Sequence, residues 1–187
     1  MNVFITLLSY DHGILRQVLD VLEDISENDT WKYYEDIIPQ AIEFLNKFMD
    51  QYHHGKEESF LFPAIPASES SLREQIDHLI EEHKQVKIYI NEIESGSELW
   101  DLELLRDSVN QMTSHMRHHI IEEEDIVFPR IAEHLDRDAD MALFEESQKY
   151  MEVRFGASFL AEMEQFANQF QNRVMGEGVI KYSSSGA

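Results

Sequence analysis

The sequence contains no cysteine. That excludes disulfide frameworks, thiolate metal sites, iron–sulfur ligation and cysteine nucleophiles together, so any metal must be held by histidine and carboxylate. Glycine and proline are scarce too, at seven and four in 187 residues. With few alternating apolar and polar runs, this favours long uninterrupted helices over strands and turns. Positive charge is outnumbered: 15 Lys and Arg face 37 Asp and Glu, giving a formal charge of −22. Such a surface repels phosphate backbones and anionic lipid, which argues against nucleic acid and membrane as partners. No run reaches the roughly 18 to 20 apolar residues of a membrane span. The apolar start Val3-Phe4-Ile5-Thr6-Leu7-Leu8 lacks the basic flank and the length of a secretion signal. A cytoplasmic protein is expected.

What is present is a chain with 43% hydrophobic residues, long enough for one filled core and short for two. Over residues 2–27, Phe4, Leu8, Leu15, Val18, Leu22 and Ile25 recur at three-four spacing and predict a first helix. A second starts between Trp31 and Pro39 and ends near Phe62, where Pro63 and Pro66 stop it. Ser71 and Glu74 read as a capping box for a third, whose stripe of Leu72, Ile76, Leu79, Val86, Ile90 and Ile93 runs to Gly96. A fourth is expected over about 98–126, before Pro129, and a fifth over about 139–174, before Gly176 and Gly178. The expected fold class is all-α: an up-down-up-down four-helix bundle over 1–136, an additional C-terminal helix packed on it over 137–176, and a flexible tail over 177–187.

Nine histidines are present, and a helical histidine taken singly is usually a surface or a satisfied core residue. An internal repeat selects among them. The segment His53-His54-Gly55-Lys56-Glu57-Glu58-Ser59-Phe60-Leu61-Phe62-Pro63 matches His119-Ile120-Ile121-Glu122-Glu123-Glu124-Asp125-Ile126-Val127-Phe128-Pro129 at a constant offset of 66. Of four His-x-x-x-Glu pairs in these segments, only His53/Glu57 and His119/Glu123 coincide under the repeat. Helical periodicity selects the same two. Leu45, Met49, His53, Glu57 and Leu61 share one stripe, and Met112, Met116, His119, Glu123 and Val127 share another. His54 and His118 fall on faces with Asp50, Glu58, Ser114 and Glu122, which read as solvated.

A carboxylate in an apolar stripe is costly to bury unpaired, so Glu57 and Glu123 need a strong partner. A metal cation supplies one; a His–Glu hydrogen bond on each helix is the plainer alternative. The repeat extends further, with Asp11-His12 matching Glu82-His83 at an offset of 71. His12 and His83 each occupy a slot where a core Leu or Ile would sit. Each half therefore reads His, then His-x-x-x-Glu.

The pattern His12, His53-x-x-x-Glu57, His83, His119-x-x-x-Glu123 resembles the HHE cation-binding domain of the hemerythrin-like family over roughly residues 5–130. The resemblance implies a four-helix bundle holding two iron ions as an oxo- or hydroxo-bridged di-iron centre, with Mn or Zn as substitutes. His12, His53, His83 and His119 carry over as terminal ligands, and Glu57 and Glu123 as bridging carboxylates. The chain departs from the oxygen-carrying members. They have a His-x-x-x-His pair on the third helix, where this chain offers only His83, and a His-x-x-x-x-Asp pair on the fourth, where it has Glu123. The cysteine-containing segment common in members linked to iron–sulfur repair is also lacking.

Four imidazoles shared between two metals, plus two bridging carboxylates, leave each metal room for a small ligand such as O2, NO or peroxide. His115, one turn before His119, is a candidate additional ligand or supporting group, with core packing as the alternative. Three functions follow: a di-iron protein that binds or senses a small ligand or protects against stress, a di-iron oxidoreductase consuming peroxide or NO or assisting iron–sulfur cluster repair, and a regulatory or scaffold bundle with a structural metal.

Overall fold

The computed structural model describes residues 2–177. The expected tail therefore lies, apart from Glu177, outside the described residues. Among those residues there is no strand, and no helix is long and apolar enough to cross a membrane.

Helix α1 spans Val3–Glu27. After a short turn at Trp31–Tyr33 comes α2, a rod over 38–61 in which Ile38–Phe44 is α-helical and Leu45–His54 and Glu57–Leu61 are π-helical. Helix α3 is Ser70–Leu99. Helix α4 runs over 102–132, with α-helical Leu102–Glu122 and Phe128–Ala132 joined by a π-helical stretch at Glu123–Val127. Helix α1 packs on α4, α4 on α3, α3 on α2, and α2 back on α1, so the first four helices close a ring. Phe4, Leu8, Leu15, Leu22, Phe48, Leu79, Val109 and Met116 fill its interior.

Several boundaries differ from the sequence expectation. The Ser71–Glu74 capping box does not form: α3 begins at Ser70 behind Glu69, and no side chain caps it. Gly96 does not end α3 but lies against α4, where an added Cβ would meet the Leu105 nitrogen at 3.0 Å. The helix ends instead at Trp100, which turns left-handed at φ 53°, and the Asp101 carboxylate accepts the Leu104 N–H to start α4. Pro129 does not stop α4 either, because it falls in the first turn after the π stretch, where a missing N–H costs nothing.

The expected fifth helix is two. Helix α5, Arg137–Phe155, ends at Gly156, whose φ of 96° suits glycine, and α6 spans Phe159–Met175. Both pack against α1, and α5 also touches the second π segment of α2. Asp140 fastens the start of α5 to the bundle by accepting the N–H groups of Val3 and Phe4.

Candidate metal centre

The π-helical turns lie where the chemistry is. Hydrogen bonds to i+5 widen the turn and rotate successive side chains away from α-helical periodicity. In α2 this brings two adjacent histidines inside: His53 and His54 are 0% and 1% exposed. His54 was expected on a solvated face from α-helical spacing, and it is instead in the core. His118 is exposed, as expected.

His12, His53, His83 and His119 and both glutamates, Glu57 and Glu123, are also buried, and α1 to α4 bring them together. Two overlapping groups place their donor atoms within 4.8 Å of one another: His54, Glu57, His83 and His119, and His12, His53, Glu57 and Glu123. Each glutamate divides its two oxygens. Glu57 turns Oε1 to His53 Nε2 and Oε2 to His83 Nε2, both at 3.6 Å. Glu123 turns Oε1 to His119 Nε2 at 3.4 Å and Oε2 to His12 Nε2 at 3.1 Å. The imidazoles also contact one another: His83 and His119 approach through Nε2 at 3.2 Å, and His54 stacks on His83.

Despite these approaches, both oxygens of Glu57 and of Glu123, Nε2 of His12 and of His53, and both nitrogens of His54 have no hydrogen-bond partner. Buried polar atoms are almost always paired, and eight without a hydrogen bond in one buried cluster carry a large desolvation cost that the contacts among them offset only in part. Imidazole nitrogen and carboxylate oxygen are the donors that suit iron, manganese and zinc. The donor set fits metal cations.

Outside the cluster, four carboxylates hold the far nitrogens. Glu124 accepts from His12 Nδ1 at 2.9 Å, Glu58 from His83 at 2.8 Å, Glu82 from His119 at 2.8 Å, and Asp11 from His53 at 3.4 Å. These bonds fix each ring so that Nε2 faces inward. Arg16 steadies Glu124 at 2.5 Å, and Lys56 donates to Asp11. The aromatic residues of the repeat back the rings, Phe128 stacking on His12 at 5.7 Å and Phe62 on His83 at 6.2 Å.

Electrostatics follow from this packing. Burial pushes the His53 pKa down to about 4 although Asp11 opposes it. Burial, with His83, His53 and His119 alongside, holds His54 well below the usual value. For His119 burial is outweighed by Glu123 and Glu82, and its pKa rises to about 9. His12 is raised for the like reason, Glu123 and Glu124 overcoming burial. Burial and the neighbouring Glu123 hold the Glu57 carboxyl far above the carboxylate range. Burial would do the same to Glu123, but His119 and His12 face it and keep it ionised.

His115 stands apart from both groups. It is half-buried, edge-on to the Tyr89 ring at 5.8 Å. Sequence reasoning missed His54 and the carboxylate partners, yet the repeat carried a signal for His54. Its match in the second half is Ile120, an apolar residue that is 1% exposed.

Neither the curated proteins nor the solved structures offer a significant match. The family model for the hemerythrin HHE cation-binding domain matches residues 3–131, which takes in the repeat and every residue of the buried cluster, and the chain belongs to this family.

Proposed function

We propose that the chain is a non-heme di-iron protein that binds a small diatomic or peroxide ligand, O2, NO or H2O2. The single observation that carries this reading is the division of oxygens at Glu57 and Glu123, each of which faces histidines of both groups. A carboxylate that serves two histidine sets suits two cations better than one. In this reading His54, His83 and His119 hold one iron, His12 and His53 hold the other, and the glutamates bridge them. The alternating up-down order of α1 to α4, with short connections, belongs to the same reading.

The donor count is unequal, three imidazoles against two. The position with fewer protein donors is the one left open to an exogenous ligand. Two irons would supply reversible electron exchange with that ligand. The chain's own part is to keep the rings in place through Glu124, Glu58, Glu82 and Asp11, and to keep bulk water away from the buried donors.

The test is metal analysis of anaerobically purified protein, with absorption spectra before and after adding O2, NO or peroxide. Two irons per chain and a spectrum that responds to one of these ligands are expected. One metal per chain would remove the dinuclear reading. Two metals with an unresponsive spectrum would leave a structural role.

A further inference from the structure

The two halves of the centre balance their supporting carboxylates differently. In the first half Asp11 accepts from His53 and is also paired with Lys56, whose ammonium lies 4.2 Å from the centre of the Tyr52 ring. Asp11 and Lys56 are 1% and 2% exposed. Helix α5 closes over this corner: Met151 approaches the Cβ position of Gly55 at 3.8 Å, and Phe155 stands edge-on to Tyr52 at 5.7 Å. This cover lies beyond residue 131, where the family match ends.

In the second half the residues related to Asp11 and Lys56 are Glu82 and Glu122. A carboxylate stands where the lysine was. Glu82 and Glu122 lie with His78 within 4.8 Å and are partly open to solvent. One supporting carboxylate is thus paired with a buried lysine, and its counterpart has a second carboxylate beside it instead.

A carboxylate on the far N–H of a metal-bound imidazole makes the ring a stronger donor. A cation on that carboxylate withdraws the effect, and its own charge repels a metal ion across a dry site. We propose that Lys56 is a positioning residue that widens the difference between the two metal positions beyond what their unequal donor counts set. Acting through Asp11 and His53, it weakens the His12–His53 position, so that the position formed by His54, His83 and His119 fills first. The inference rests on the dinuclear reading above.

The experiment is a titration of the metal-free full-length protein with Co(II), followed by visible absorption and calorimetry, with circular dichroism of each variant as a check on folding. The native chain is expected to take up two equivalents in two separate phases. Lys56→Gln keeps a donor for Asp11 but removes the charge. It should tighten the second phase by at least about ten-fold, the lower end of the range for groups that support metal ligands, and leave the first unchanged. Lys56→Arg should preserve the native separation. Glu122→Lys places an ammonium beside Glu82 at a partly exposed position, and should weaken the first phase by a similar factor.

A Lys56→Gln protein whose second phase is unchanged or weaker overturns the proposal. If that variant does not fold, Glu122→Lys decides: an unaltered first phase overturns it. Two equal equivalents insensitive to both substitutions would defeat this inference while leaving the dinuclear reading standing. Uptake of fewer than two equivalents by the native chain would defeat the dinuclear reading itself.

Discussion

The ring of His54 lies parallel on that of His83, with centroids 3.7 Å apart and planes 6° from parallel. Both rings reach the same donor group, so His54 makes that group richer in nitrogen than the other. Replacing it by leucine, close in size to the Ile120 of the second half, should keep the bundle and lower the metal content, because the His83–His119 side loses one of its three imidazoles. His118→Ala, at an exposed position, should keep both. Metal analysis of the two variants is the check, and a fully loaded His54→Leu protein would remove His54 from the ligand set.

Glu57→Ala and Glu123→Ala should each strip metal from both positions, since either change removes an oxygen from both histidine sets. Glu122→Ala should remain loaded, because Glu122 lies outside both buried groups. The comparison is made by reconstitution with iron followed by stoichiometry. Loss of one metal only from Glu57→Ala would mean that this carboxylate serves a single ion.

Removing the metal should lower thermal stability and give it a marked pH dependence, without abolishing helicity, because the apolar interior of α1 to α4 is independent of the site. The sign follows from the shifted histidines. His53 falls from 6.5 to about 4 in the fold. Between those values the unfolded chain binds the extra proton, so stability is lost as pH falls below about 6.5. His119 rises from 6.5 to about 9. Over that interval the folded chain holds the extra proton, so stability is lost as pH rises toward 9. The metal-free protein should therefore melt highest near neutral or slightly acid pH, and the loaded protein should show a flatter profile on the alkaline side. Melting curves across pH 4 to 9 decide it; a metal-free protein as stable as the loaded one would mean that these side chains are not jointly buried around a metal.

Much of the site was legible because burying His53, Glu57, His119 and Glu123 requires helical spacing, and a repeat that conserves spacing exposes which residues go inside. The same reasoning failed at His54 because it assumed 3.6 residues per turn, and α2 leaves that geometry over Leu45–His54. The break at Gly156 was hidden for another reason: a single glycine in a long helical pattern usually stays helical, and only its φ of 96° shows that this one does not. The carboxylate partners were beyond reach because they cross between segments far apart in sequence. Glu58 and Glu124 look like surface residues, and both are partly exposed even while they hold His83 and His12.

That crossing has a consequence for assembly. His12 in the first half is held by Glu124 and backed by Phe128 in the second; His83 in the second half is held by Glu58 and backed by Phe62 in the first. His53 and His119 find their carboxylates, Asp11 and Glu82, within their own halves, but neither half can satisfy His12 or His83 alone. In its polar wiring each helical pair behaves as one protomer of a two-fold symmetric dimer that happens to be joined by a peptide link. The chain must therefore bring its two halves together before the centre exists at all, and the most distant of these hydrogen bonds, spanning 112 residues, ties completion of the site to the last steps of closing the bundle.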